Sequence, residues 1–327
     1  MRKLILLLLV LSIAAMGFAG GGADRGDSVT LRLGHVLDTN NSWHMASEHF
    51  ATLVHDRSNG EITVQLFPNS SLGNDRDLVE GMQMGTVDFA LVAGVLGNFY
   101  GALQLLELPY LFNNQRHLQN VIYGEVGDLM KREMRQQASV VGLEFWERAP
   151  RHLTTNFPVN TPADLNGLRI RVPEIPPMVS AWRAMGANPT PMAWGEVYTA
   201  LQQGTIDAQE NPLMNIVSAN IQEVNSHINL TYHVYGYVIH LMSAAAFDRL
   251  SSGHRDIIVR AAAETRDFQN RMVEEEEVTL RRQLEAGGTV FVTPNIEPFQ
   301  RLARTVHGEF AARYGQQLYD RIIAAGR

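Results

Sequence analysis

The feature that most constrains this chain is a duplication. The segment Glu80-Gly-Met-Gln-Met-Gly-Thr-Val-Asp-Phe-Ala90 returns as Thr199-Ala-Leu-Gln-Gln-Gly-Thr-Ile-Asp-Ala-Gln209. Each copy reads as a helix end, a glycine cap, and a Thr/Asp pair leading into a strand. Gly85 and Gly204 stand about 120 residues apart, roughly one domain length. Around the first copy, hydrophobic periodicity predicts strands at Val29–Leu33, Ile62–Phe67 and Thr86–Val92. Helices are expected from Ser42 and after Asn74, a good N-cap followed by the acidic Asp75 and Asp77. Around the second copy the order repeats: strand Leu168–Val172, helix Pro176–Met185, extended Asn188–Met192, a helix from Gly195, then Gly204-Thr-Ile-Asp207. Two βαβαβ units in one chain predict an α/β protein of two similar lobes.

Between and after the units the composition changes. Most of the thirteen prolines fall between Pro150 and Pro212, so a differently built segment begins near residue 150. Val234–Phe247 is β-rich and continuous enough to run between lobes. From Ser252 to Leu284 the pattern is one long helix, with an apolar stripe at Ile258, Ala261, Thr265, Phe268 and Met272. Glu274–Glu277 interrupts the stripe before Leu280 and Leu284 resume it, which predicts a helix bracing two bodies with a solvated waist.

Several function classes are excluded early. A net charge of −7 without a basic face argues against nucleic acid. With no cysteine there is no thiolate metal site, disulfide framework or cysteine nucleophile. His44, His49 and His55 are not at metal-binding helical spacing, and no His-Glu-x-x-His occurs, so no metal and no cofactor are expected. Hydrolase, P-loop and dinucleotide glycine motifs are missing as well. At the start, Arg2 and Lys3 precede the apolar run Leu4–Met16 and the small-x-small site Gly17-Phe18-Ala19. Residues 1–19 are therefore expected to be a cleaved secretory signal peptide, too short to span a bilayer. No later segment of the sequence is apolar and long enough to do so either.

The informative polar residues sit in apolar, proline-framed contexts. Arg171 ends a strand just before Pro173, where ligands sit in open α/β lobes, whereas Arg169 on the same face is expected at the surface. Arg151 follows Pro150, and Asn211 is held extended by Pro212. A guanidinium matches a carboxylate with two parallel hydrogen bonds, so two arginines and an amide form an anion grip. Trp194 is either core or a stacking wall.

Five ordered segments carry a family resemblance: Ser70–Asp88, Leu108-Pro-Tyr-Leu-Phe112, Arg151-His-Leu-Thr-Thr-Asn156, Leu168-Arg-Ile-Arg-Val-Pro173 and Trp194–Pro212. Together they resemble the solute-binding proteins of tripartite ATP-independent periplasmic (TRAP) transporters, of the dicarboxylate-binding type. The resemblance implies a two-lobe periplasmic-binding-protein fold, type II-like, that closes like a flytrap, with crossing strands and a long helix spanning both lobes. The lobes are then discontinuous: 28–148 with 237–276, and 149–236 with 277–327. It also implies that Arg171 clamps a carboxylate, that Arg151 and Asn211 add donors, and that Trp194 walls the cleft. Glu174 takes the position where sugar-acid binders place a polar contact, and the loop from His35 to His44 offers His35, Asn41 and Trp43 from the first lobe. Ala93 stands where the sialic-acid branch carries glutamate, which counts against sialic acid. The expectation is a monomeric periplasmic protein that is not an enzyme. It captures a small organic carboxylate, with a lean toward a uronate or aldonate, and delivers it to the small and large permease subunits. The alternatives are a periplasmic enzyme acting on an organic acid and a ligand-presenting subunit of a sensor.

Overall fold

The computed structural model describes residues 28–326, so the expected signal peptide lies outside the described residues. The first unit comprises β1 (Val29–Gly34), α1 (Ser42–Arg57), β2 (Ile62–Phe67), α2 (Asp75–Met84) and β3 (Phe89–Val92). After it come α3 (Gln115–Ile122), α4 (Glu125–Ala138), β4 (Val140–Glu147) and β5 (His152–Thr155). The second unit runs β6 (Arg169–Val172), α5 (Pro176–Ala184), β7 (Asn188–Pro191), α6 (Val197–Gln202), β8 (Gln209–Asn211) and α7 (Leu213–Ser218). Then come β9 (His227–Asn229), β10 (Tyr237–Ser243), α8 (Ala244–Arg249), α9 (Ser252–Ala286) and β11 (Val290–Val292). Three helices close the chain: α10 (Glu297–Ala303), α11 (His307–Tyr314) and α12 (Gln316–Ala324).

The duplication is realised as two sheets of the same plan. In the first, the order is β2-β1-β3-β10-β4, with β1 parallel to β2 and β3, and β10 antiparallel to both β3 and β4. In the second, β7 pairs with β6 in parallel, and Ile170 bridges Ala208 just before β8. From there the order continues β8-β5-β9-β11, with β5 antiparallel to β8 and β9. The repeated Gly and Asp do the same work in both halves. Gly85 and Gly204 adopt φ of 75° and 67°, which lets each helix end in the left-handed conformation. Asp88 accepts a hydrogen bond from Arg32 N at 2.8 Å, and Asp207 accepts one from Arg169 N at 3.1 Å. Because Thr86 and Val87 both turn back to Gly81 O, the third strand starts at Phe89, three residues later than its β-forming composition predicts.

The run Val234–Phe247 divides into strand β10 and helix α8, the latter capped by Ser243. Its opening lies beside the outgoing chain: Arg148 N donates to Gly236 O at 3.0 Å and Arg151 N to Val234 O at 2.9 Å. These are the crossing segments between halves. Helix α9 is 35 residues long, and its two ends lie in different cores. Ile258, Ala261 and Ala262 belong to the larger cluster under the first sheet, whereas Leu280 and Leu284 belong to a second cluster with Val197, Leu201, Ile216 and Ile228. The waist is not wholly solvated: Glu276 and Glu277 turn toward the gap between halves, and only Glu274 and Glu275 are exposed. At the end of the chain α10 packs on α5, while α11 and α12 return to the first half. There Arg304 bonds Tyr110 O, and Ile322 O meets His117.

Candidate functional site

A cleft between the halves bounds about 520 Å³ of empty space. The second half supplies Arg151, Arg171, Trp194 and Asn211; the first supplies Trp43, Asp75, Glu107 and, at the crossing, Arg148. Three hydrogen bonds join the halves around it, from Asn98 Nδ2 to Glu174 O at 2.8 Å and from Asn41 Nδ2 to Ser218 Oγ at 3.4 Å and to Asn215 Oδ1 at 3.5 Å.

Arg171 reaches the cleft because β6 ends at Val172 and Pro173 turns the chain away. The residue is 4% exposed. Its Nε and Nη2 donate to Met192 O at 2.9 and 2.7 Å, and the guanidinium lies 5.6 Å over the Trp194 ring. These contacts fix the plane of the fork and leave its end-on edge, Nη1 with the second Nη2 hydrogen, free. Among the described residues no carboxylate lies within ion-pair distance of it. Burial, with repulsion from Arg151, brings its pKa down to about 10 against the pull of Glu210, Asp75 and Glu174, so it is cationic at neutral pH.

Arg151 is held differently. Its Nε pairs with Glu210 Oε2, while Nη2 donates to Glu210 Oε1 and to Glu210 O, each at 2.7 Å. His233 Nε2 adds a bond to Glu210 Oε2 at 2.8 Å, and its Nδ1 meets Thr231 Oγ1 at 2.8 Å. Burial opposes charge on Glu210, but Arg151 and His233 outweigh it and hold the carboxyl below its ordinary range. Burial likewise keeps His233 neutral despite Glu210. The cation of Arg151 is thus internally compensated.

Asn211 is 2% exposed and shares the wall; its Nδ2 bonds Gln209 Oε1 at 2.8 Å, and Asn215 donates to its Oδ1 at 3.4 Å. Trp43, opening α1, lies under Arg148 with 5.2 Å from guanidinium to ring. The structure therefore brings Arg171, Arg151, Asn211, Trp194 and Trp43 together. It does not bring His35, Asn41 or Glu174 to the wall. His35 is fully buried and its Nε2 faces His44 Nδ1 at 3.1 Å, because the residue after β1 turns under α1 into the core. Asn41 is consumed by local structure: Oδ1 caps α1 by accepting from Trp43 N, and Nδ2 reaches Asn215 and Ser218. Glu174 uses its backbone oxygen to take Asn98.

Three wall residues escaped sequence reasoning. Asp75 reads as an ordinary first-turn acid; burial in the cleft pushes its pKa up to about 6 against the pull of Arg171 and Arg148. Glu107 has a visible signal, a lone charge between Leu106 and Leu108, and burial raises it too. Arg148 adjoins Arg151 in sequence, but nothing local distinguishes it. Among the described residues there is no cluster suited to a metal ion and no helix long and apolar enough to cross a membrane.

With this geometry in view, three kinds of likeness bear on it. A family model described as bacterial extracellular solute-binding protein, family 7 (DctP), matches residues 33–313. The 2,3-diketo-L-gulonate-binding periplasmic protein YiaO of Escherichia coli is 35% identical over 268 residues, 81% of each chain. A TRAP periplasmic solute-binding protein of Roseobacter denitrificans, solved with bound L-galactonate, superposes with a TM-score of 0.86 at 36% identity, covering 91% of this chain and 98% of that one. A TRAP periplasmic solute-binding protein of Shewanella oneidensis, solved with bound succinate, gives 0.88 at 26% identity, covering 92% and 100%.

Proposed function

The chain belongs to the bacterial extracellular solute-binding proteins, family 7, and from that premise we propose that it captures a sugar acid in the cleft and hands it to TRAP permease subunits. The observation that carries the reading is Arg171: a buried, plane-fixed guanidinium with a free edge and, among the described residues, no carboxylate within ion-pair distance. A ligand carboxylate completes it in two parallel bonds. Arg151 cannot play that part equally, since Glu210 already occupies its fork; its remaining donors and Asn211 flank the anion. Trp194 stacks on Arg171 and closes the wall.

The two relatives of higher identity carry sugar acids in their names, and the less similar one carries succinate. A cleft that mixes arginines with Asp75, Glu107 and Asn211 suits a carboxylate bearing hydroxyls.

In the proposed cycle, residues 28–148 with 237–276 form one lobe and residues 149–236 with the chain from 277 the other, except that the closing segment from Arg304, with α11 and α12, packs on the first lobe and moves with it. The contacts Asn41–Ser218 and Asn98–Glu174 form on closure, and α9 runs from one lobe to the other through its glutamate waist. Ligand favours the closed form because only there do both lobes touch it. Export through residues 1–19 places the protein in the periplasm, where small and large membrane subunits receive the closed form.

Titration calorimetry with L-galactonate and with galactitol, which keeps the hydroxyls and lacks the carboxylate, tests the proposal. Binding of the acid alone, recovered unaltered, supports it; binding of both with equal affinity refutes it.

A further inference from the structure

Arg148 leaves a physical question open. It follows β4 where the chain leaves the first sheet, is 8% exposed, and lies over Trp43, 5.2 Å from the ring centre. A guanidinium has five donors, and burying them without acceptors is costly. Yet among the described residues no oxygen accepts from the Arg148 side chain, and its donors open into the cleft. Arg151, three residues on, shows the ordinary solution in Glu210. Among the described residues the cleft therefore carries two guanidiniums with no carboxylate within ion-pair distance, Arg148 and Arg171.

The same wall carries Glu107, 6% exposed, at the end of the short helix Gly101–Glu107. Arg148 and Glu107 thus line the same cleft, and burial raises the Glu107 carboxyl against the pull of Arg151 and Arg148. We infer that Arg148 and Glu107 together bind a hydroxyl toward the far end of an acid whose carboxylate sits on Arg171, Arg148 donating to its oxygen and Glu107 accepting its hydrogen. The inference rests on the proposed function and narrows its ligand class to an extended polyhydroxylated monocarboxylate. A hydroxyl is donor and acceptor at once and satisfies both side chains. A second carboxylate accepts from Arg148 but brings no hydrogen for Glu107 to accept, and it disfavours charge on Glu107, which burial already opposes. Trp43 keeps the Arg148 plane in place, as Met192 O and Trp194 do for Arg171.

The test uses the chain with Arg148→Met and with Glu107→Gln, titrated with L-galactonate, the three-carbon D-glycerate and the diacid galactarate. Ligand-free melting temperatures check folding. Arg148→Met should weaken L-galactonate at least about tenfold and D-glycerate less than about twofold, because only the longer acid reaches it. Glu107→Gln should raise galactarate affinity by about tenfold or more, since the like charge is gone. Equal losses for both monoacids, no loss for either, unchanged galactarate binding in Glu107→Gln, or wild-type affinity for galactarate matching that for L-galactonate overturns the inference while leaving the Arg171 site standing. A wild-type protein that binds neither monoacid overturns the proposed function and this inference with it. Should Arg148→Met fail to fold, Glu107→Gln decides alone.

Discussion

Strand β3 carries Ala90, Leu91 and Val92 at the positions where β8 carries Gln209, Glu210 and Asn211, and all six residues are buried. The register extends to the neighbouring strands: Leu33 pairs with Phe89 as Ile170 pairs with Ala208, so β1 ends on Gly34 where β6 places Arg171. One backbone plan has thus been filled in two ways. In the first half the third strand is ordinary core. In the second it is a polar layer, satisfied by Thr154 on Gln209, Arg151 and His233 on Glu210, and Asn215 on Asn211. The first half could not receive a cation at Gly34: a Cβ there would stand 2.5 Å from Leu78 Cδ2, and Leu78 is fully buried. The duplication supplies the frame and the asymmetry supplies the polar wall of the cleft.

The largest expected effect comes from removing charge from the polar strand. Glu210→Gln leaves Arg151 buried without its counter-ion and should cost about 3–5 kcal/mol of stability in denaturant unfolding. Leu91→Val, at the matching first-half position, should cost about 1 kcal/mol. Equal effects would break the comparison.

Acid should act through two buried histidines of the first half. Burial holds His35 and His240 down to about 3, whereas unfolded histidine protonates near 6.5, so the unfolded state binds more protons across that interval and stability falls as pH drops below 6.5. Each contributes a loss of about 2 kcal/mol at pH 5. Neither ring nitrogen of His240 has a partner within its cage of Phe50, Phe89 and Trp146. His240→Leu should therefore flatten the decline in melting temperature between pH 7 and 5; an unchanged slope would assign it elsewhere.

Smaller effects sharpen the symmetry. Gly34→Ala overpacks against Leu78 and should destabilise by about 1–2 kcal/mol. Gly85→Ala and Gly204→Ala should each cost about 1 kcal/mol by the same amount, because both glycines hold positive φ with open space around them. A large difference between the last pair would mean that the two caps are not equivalent.

The frame was legible because it is written in local signals: cap glycines, Asn74 and the 3.6-residue stripe of α9. Arg171 was legible because a charge at a strand end before proline has few other uses. What the sequence concealed is long-range. Arg151 was conspicuous, but its pairing with Glu210 across 59 residues was not, so Arg151 looked as free as Arg171. His35 drew attention as a polar residue in a polar loop, yet its side chain turns into the core toward His44. Arg148, Asp75 and Glu107 come to the cleft from three separate elements, and only the folded chain sets them on one wall.

The most direct measurement is titration calorimetry of L-galactonate into Arg171→Lys beside the wild type, with Arg169→Lys, one turn of the pleat away and paired to Asp207 at the surface, as the control. A point charge cannot replace a two-bond fork, so affinity should fall about 100-fold in Arg171→Lys and stay unchanged in Arg169→Lys. Unchanged affinity in Arg171→Lys would contradict the account.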